Sequence, residues 1–106
     1  MILRKGLVDI ITDGIRAFYV KTEGSLKRWG GQGDILSGMW GTFSYYAMLS
    51  KKSKDPVFET ITQDENPLLI AAVASSHFTR VAANIAYTEK KRGLVTPDIL
   101  KWIELP

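Results

Sequence analysis

Residues 27–41, KRWGGQGDILSGMWG, hold five of the nine glycines and two of the three tryptophans of this 106-residue chain. The glycines at 30, 31 and 33 mark a break, and Asp34 follows them as a good helix N-cap. A carboxylate at that position accepts hydrogen bonds from the free N–H groups of the first turn. The stretch therefore predicts a turn and then a closely packed helix over residues 35–50, which is apolar on more than one side and is expected to be central or to face a partner.

The same glycines do not fit the common nucleotide-binding motifs. A Walker loop requires Lys and then Ser or Thr after its last glycine, and here Asp34 and Ile35 follow. The dinucleotide fingerprint fits at Gly31 and Gly33 but has Leu36 in place of its third glycine. An Asp34 side chain capping the helix would also repel an incoming phosphate. We therefore predict a connector at this position and no bound cofactor.

Length and composition indicate one globular domain over residues 1–106. The chain is 45% hydrophobic and 24% charged and has no cysteine, which excludes disulfides, thiolate metal sites and a cysteine nucleophile. The start of the chain does not have the pattern of a secretory signal. The longest uncharged runs are shorter than the roughly 20 residues of a membrane-spanning helix. We expect a cytoplasmic protein without a membrane partner.

The first segment permits two interpretations. Apolar residues recur every three or four positions and would share one helical face: Leu3, Leu7, Ile11, Ile15 and Phe18. Against this, Asp13-Gly14 between apolar, β-branched runs is a strong hairpin signal. The apolar residues alternate poorly around this pair, so we favour the helix and keep the hairpin as the alternative.

Two further helices follow from the later sequence. Residues 64–66 precede Pro67, which is tolerated in a first helical turn, and the periodic pattern continues to Lys91 or Arg92. Alanines along this helix, at positions 71, 72, 74, 82, 83 and 86, permit close contact between helices. Thr96 would cap a last short helix over residues 99–105. The expected fold is thus all-α, a single-domain bundle of three main helices plus a short C-terminal helix.

No group of residues points to catalysis. The one histidine, His77, has no carboxylate one helical turn away, and its neighbour Ser76 points about 100° away from it. The one candidate pair of carboxylates, Asp64-Glu65, lies at a helix start, where negative charge is favourable. We therefore predict no enzymatic activity, no catalytic residue and no metal site.

The basic residues give a different indication. The net charge is +3, and lysines and arginines cluster at the expected helix ends. Such clusters also complement helix dipoles, which accounts for about half of the pattern. The remainder predicts a surface that tracks a nucleic-acid backbone. Its residues would be Lys21, Lys27, Arg28, Arg80, Asn84, Tyr87, Lys90, Lys91 and Arg92. Aromatic residues of the second helix, Trp40, Phe43 and Tyr46, would form a subunit interface.

A small, basic, cysteine-free chain with these helices resembles the small helical subunit of CRISPR effector complexes, specifically the archaeal type I-A form. The resemblance rests on size, charge and layout, and on ITDGIRAFYVKTEGSLKRW and SSHFTRVAANIAYTEKK (residues 11–29 and 75–91). It implies a non-enzymatic subunit that binds a guide–target duplex or displaced strand without sequence specificity. Its partners would be RNA or DNA and other protein subunits, with possible self-association. The main alternative is a structural assembly module of a phage, virion or oligomer. A weaker one is a regulator that blocks a partner through its aromatic second helix.

Overall fold

The first part of the chain forms a small antiparallel sheet. The computed structural model describes residues 1–24, 31–54, 56–57, 66–90 and 97. Strands β1 (Ile2–Arg4), β2 (Asp9–Thr12) and β3 (Ala17–Val20) pair in the order β1-β2-β3. Leu3 lies opposite Ile11, and Ile11 lies opposite Phe18. This register aligns three apolar side chains on one face of the sheet.

The turn between β2 and β3 is built by its own side chains. The Asp13 carboxylate accepts hydrogen bonds from the N–H groups of Ile15 and Arg16, both at 2.9 Å. The Thr12 hydroxyl donates to the Arg16 carbonyl at 2.6 Å and accepts from the Gly14 N–H at 3.0 Å. Gly14 has a φ of +97°, which glycine adopts without strain. These local bonds favour a hairpin over a continuous helix.

The predicted N-terminal helix is therefore wrong, and its hairpin alternative describes the segment. The apparent helical stripe combined residues with different environments. Leu7 and Ile15 lie in the loops between strands and are each 90% exposed. Leu3, Ile11 and Phe18 are neighbours across three strands, so their spacing reflects strand and loop lengths and not a helical period.

Two helices complete the described fold. Helix α1 spans Gln32–Lys52 and helix α2 spans Pro67–Lys90. Both were predicted, with α1 starting three residues earlier and ending two residues later than expected. The Asn66 side chain accepts a hydrogen bond from the Leu68 N–H at 2.9 Å, and Pro67 occupies the first turn. Residues 91–93 and the predicted short helix over 99–105 lie outside the described residues.

The core consists of two apolar clusters that meet on α2. One lies between α2 and the sheet and contains Ile11, Val20, Leu69 and Ala72, with Trp40 packed against it. The other lies between the helices, where alanines of α2 allow the backbones to approach closely. Its buried members are Ile35, Ala82, Ala83 and Ala86. The predicted alanine contact surface is thus confirmed for this part of α2.

A three-stranded sheet and two helices make an α/β fold, so the expected all-α bundle is wrong. Helix α2 is its central element because it packs against both the sheet and α1. By length and composition α2 could also cross a membrane. That property is shared by the core helices of globular proteins, and here the helix carries an ion-paired arginine, Arg80, near its middle.

Candidate functional site

A pocket of about 90 Å³ opens where the sheet loops meet both helices. The loop between β1 and β2 forms one wall, the first turns of α1 form another, and the middle of α2 forms the floor. The residues that line it are Lys5, Gly6, Asp9, Gly24, Gln32, Leu36, Ser76, Thr79, Arg80 and Ala83. Charged and polar side chains from distant parts of the sequence therefore converge at the beginning of α1.

The first turn of α1, beside this pocket, has backbone N–H groups that the helix itself does not pair. Gly31 is the N-cap residue, with a φ of +91°, and no side chain caps the helix from that position. The first intrahelical hydrogen bond runs from the Ile35 N–H to the Gly31 carbonyl at 3.2 Å. The N–H groups of Gln32, Gly33 and Asp34 therefore have no acceptor within the helix. Such a helix end attracts anions through its donors and its dipole.

Asp34 does not have the capping role that the sequence predicted. It lies three residues after the N-cap, in the first turn of α1, and its side chain is exposed. Helix α1 begins at Gln32 with Gly31 as its N-cap, so Asp34 lies beyond the capping position. An Asp34 cap therefore does not exclude a phosphate from this helix end.

Lys5 brings a positive charge to the same helix end. A side-chain carbon added at Gly33 would lie 2.7 Å from the Lys5 Nζ, so the ammonium group rests directly against the first turn of α1. The N-terminal end of a helix is itself equivalent to about half a positive charge. Two like charges at this spacing repel each other, and an anion between them would remove the repulsion. Gly33 supplies the space that Lys5 occupies.

Behind Lys5 lies a buried ion pair between Asp9 of β2 and Arg80 of α2. Arg80 donates from Nε to Asp9 Oδ2 at 3.0 Å and from a terminal nitrogen to Asp9 Oδ1 at 2.9 Å. The Asp9 carboxylate also accepts from the Ser76 hydroxyl at 2.6 Å and from the Gly6 N–H at 3.0 Å. The side chains of Arg80 and Asp9 are only 14% and 7% exposed. The pair is well satisfied, as a buried pair requires.

The surroundings of Asp9 keep it ionised. Burial by itself raises the pKa of this carboxyl, because a charge in a poorly hydrated site is disfavoured. Hydrogen bonds from Arg80, Ser76 and the Gly6 N–H, together with the Arg80 charge, outweigh burial and hold the pKa below its ordinary value of 3.8. Asp9 is therefore a fixed negative charge and not a proton donor near neutral pH.

The segment after β3 is held against α2 by further polar contacts. Arg80 donates to the Thr22 carbonyl at 2.9 Å, and the Asn84 amide donates to the Gly24 carbonyl at 3.2 Å. The Thr22 hydroxyl lies 2.8 Å from the His77 Nδ1. His77 is exposed, and its contact with Thr22 ties α2 to the segment that follows β3.

Comparison with known proteins identifies the family. A family model described as NAD(P)H-hydrate dehydratase matches residues 1–105. The chain belongs to this family. The ATP-dependent (S)-NAD(P)H-hydrate dehydratase of Arabidopsis thaliana is 39% identical over 100 residues, which cover 94% of this chain and 26% of the plant protein. The enzyme of the same name from Nematostella vectensis is 40% identical over 102 residues, or 96% of this chain and 25% of that protein.

A third relative with this name, from Entamoeba histolytica, is 38% identical over 102 residues, covering 96% of this chain and 31% of that protein. The dehydratase-family chain thus spans between about a quarter and a third of the length of the relatives it matches. The aligned region is nevertheless almost the whole of this chain, including the glycine-rich stretch and the ion pair.

Family membership corrects the functional predictions. The resemblance to a CRISPR small subunit is wrong, and with it the prediction of a partner made of RNA or DNA in a defence complex. The alternative of a purely structural module and the expectation of no enzyme are wrong as well, because the relatives carry an enzyme's name. Size, charge and layout are shared by many unrelated small domains, so they could not identify the family.

Five of the nine residues predicted to contact nucleic acid lie in the described part of this dehydratase-family chain. Arg80 and Asn84 face the sheet loops, and Tyr87 packs against the cluster of Ile35 and the alanines. Lys21 and Lys90 are exposed. Four others, Lys27, Arg28, Lys91 and Arg92, lie outside the described residues, so their predicted convergence is not described either.

The aromatic residues predicted to form a subunit interface occupy different environments. Trp40 is half-buried against the sheet cluster, and the ring of Phe43 lies 5.9 Å from that of Phe78 in an edge-to-face contact. Tyr46 is 59% exposed and lies beside Tyr45. A subunit interface at these residues stays a prediction.

Neither Lys5 nor Asp9 was predicted as a site residue. Neither lies in a local motif, and Asp9 is 71 positions from its partner Arg80. One signal was available for the helix end: a glycine-rich break before a helix leaves backbone donors free when no side chain caps them. Arg80 and Asn84 were predicted to contact a nucleic-acid backbone, whereas the structure bonds both to the segment that follows β3.

Proposed function

We propose that this chain is part of an ATP-dependent (S)-NAD(P)H-hydrate dehydratase. The observation that carries the proposal is the identity of 35–40% with enzymes of that name over 93–96% of the chain. Such an enzyme removes water from a hydrated nicotinamide ring. Hydroxide is a poor leaving group, so the role of ATP is to convert the ring hydroxyl into a phosphate ester that departs readily.

Within this reaction the N-terminus of α1 is the candidate phosphate site. Three features support it: first-turn N–H groups without an acceptor in the helix, the left-handed Gly31 without a side-chain cap, and the Lys5 ammonium resting against Gly33. Backbone donors and a helix dipole bind phosphate oxygens, and a lysine beside them adds a full positive charge. The adjacent pocket gives the phosphates access from solvent.

Asp34 is the candidate base. Its exposed carboxylate lies in the first turn of α1, beside the proposed phosphate position. Phosphoryl transfer to a hydroxyl requires a group that takes the hydroxyl proton as the oxygen–phosphorus bond forms and ADP departs. Departure of the phosphate and loss of a ring proton then restore the carbon–carbon double bond. Asp34 can serve the first of these steps from where the helix holds it.

The test measures the recovery of NADH from its hydrate by absorbance. The protein assayed is the full polypeptide that carries this chain. Wild-type protein should recover NADH when ATP is present and not without it. Lys5→Met should raise the KM for ATP about 10- to 100-fold, the effect of losing one charged hydrogen bond. Asp34→Asn should lower kcat by about 10²- to 10⁴-fold.

The matched control is Lys51→Met, an exposed lysine in the last turn of α1. It removes the same charge at the opposite end of the same helix, and both kinetic constants should stay within about twofold of wild type. Absence of ATP-dependent recovery, in an assay where the Arabidopsis relative is active, would overturn the proposal. Equal effects of Lys5→Met and Lys51→Met on the KM for ATP would contradict the assignment of the phosphate site to the N-terminus of α1.

A further inference from the structure

The Asp9–Arg80 pair holds the backbone next to Lys5 from both sides. The Gly6 N–H donates to Asp9 at 3.0 Å, and the Gly6 carbonyl accepts from Arg80 at 2.5 Å. Gly6 lies outside the strands, in the loop between β1 and β2. Both backbone polar groups of the residue directly after Lys5 are therefore fixed by one ion pair.

Little else in the described structure could fix this loop. Leu7, the next residue, is 90% exposed and so does not anchor the loop to the core, and Val8 is only partly buried. A loop held only by its flanking strands samples several backbone conformations. A lysine on such a loop would visit the first turn of α1 only part of the time.

The contacts of Arg80 require an arginine. Its guanidinium reaches two carboxylate oxygens of Asp9 and the carbonyls of Gly6 and Thr22 at once. The planar fork of an arginine serves such divergent acceptors, whereas a lysine ammonium is a compact point charge on a flexible stem. A buried ion pair contributes little net stability compared with an apolar pair of similar size. The Asp9–Arg80 pair contributes here by fixing the positions of the backbone groups that it bonds.

We propose that Asp9 and Arg80 are positioning residues for the phosphate site: they fix Gly6 and so hold Lys5 against the first turn of α1. This inference rests on the proposed function, since it takes the nucleotide phosphates as the ligand of that helix end. Neither residue contacts the phosphates in this account. Arg80 acts through Lys5, and this dependence makes the inference testable.

The test is a double-mutant cycle on ATP affinity, with Arg80→Lys and Lys5→Met, in the full polypeptide. Arg80→Lys keeps the charge and should retain the fold, but it loses the simultaneous hold on the Gly6 and Thr22 carbonyls. We expect it to raise the Kd for ATP about tenfold in the wild-type background, the order of effect of a small misplacement of a binding group. In the Lys5→Met background it should raise the Kd less than twofold.

A purely structural role would give a different result. Ile11→Val, a change to a fully buried residue of β2, causes a modest loss of stability away from the pocket. It should leave the Kd for ATP unchanged in both backgrounds. If Arg80→Lys weakens binding by the same factor with and without Lys5, the positioning role is refuted while the proposed function stands.

The remaining outcomes are also decisive. If wild-type protein binds no ATP in a calorimetric titration, the proposed function and this inference both fail. If Arg80→Lys does not fold, as judged by circular dichroism, Asp9→Asn takes its place in the cycle. That substitution keeps the size of the side chain and one oxygen acceptor but weakens the hold on the guanidinium, and the same non-additivity with Lys5→Met is expected.

Discussion

Arg80→Met tests the central feature of this fold, a buried ion pair between the sheet and α2. Methionine keeps most of the length of the side chain and its apolar stem but removes the guanidinium. Asp9 then loses two of its four hydrogen bonds and its counter-charge while its side chain stays 7% exposed. Removing one partner of a buried pair costs about 3–5 kcal/mol, because the other charge remains without compensation.

The Gly6 and Thr22 carbonyls lose their donors as well, which places the expected loss towards the upper end, at about 4–5 kcal/mol. Urea unfolding followed by tryptophan fluorescence measures this loss. With a slope of about 1.5 kcal/mol per molar, typical of a domain of this size, the midpoint should fall by about 3 M. Because domains of this size have only about 5–15 kcal/mol of stability, the variant should be close to unfolding without denaturant.

Two companion variants make the result specific. In Asp9→Asn combined with Arg80→Met, no charge is left buried, so we expect the double variant to be more stable than Arg80→Met alone by about 1–2 kcal/mol. Arg4→Met removes an exposed arginine of β1 and should change stability by less than about 0.5 kcal/mol. A loss below about 1 kcal/mol in Arg80→Met would show that the Asp9 carboxylate is hydrated in solution, and would refute the reasoning from burial.

Three further predictions concern stability. Because the pKa of Asp9 is lowered on folding, its contribution to the free energy of unfolding is complete above its ordinary pKa of 3.8 and is lost as the pH falls below that value. Asp9→Asn should therefore flatten the acid limb of a pH–stability curve measured by urea unfolding. Gly31→Ala and Gly14→Ala place a side chain at φ values of +91° and +97° and should each cost about 1–2 kcal/mol by thermal unfolding, with Gly14→Asn costing less because asparagine tolerates this conformation. Leu69→Ala, at a fully buried position between α2 and the sheet, should cost about 2–5 kcal/mol by urea unfolding, and a smaller loss would mean that this cluster repacks.

Local signals predicted several elements correctly. Helical periodicity and Pro67 identified α2, the glycine break identified the presence of α1 although not its first residue, and the alanine rows identified where the helices meet. Each of these depends on the conformational preference of a residue or on contacts within a few turns. The Asp13-Gly14 turn was also visible in the sequence, but it was given less weight than an apparent apolar stripe.

The family and its chemistry were not predicted from the residues. The GQGD stretch at residues 31–34 matches neither the Walker loop nor the dinucleotide fingerprint. The decisive assumption, that Asp34 caps α1, depended on a predicted helix start three residues too late. Element boundaries are the least certain part of any sequence-based prediction. An error of this size reversed the expected electrostatics of the helix end. The prediction was a capped end that repels anions, whereas the structure has an uncapped end that attracts them.

The sequence by itself determined where α1 and α2 form and which alanines allow close packing, and it indicated the turn at Gly14 only as an alternative to a helix. These outcomes follow from short-range sterics and hydrogen bonding. The tertiary structure alone decided that the first segment becomes a sheet, that Lys5 reaches the first turn of α1, and that Asp9 meets Arg80. Those contacts join residues far apart in the chain, and their free energy comes from burying and pairing groups that no local pattern brings together.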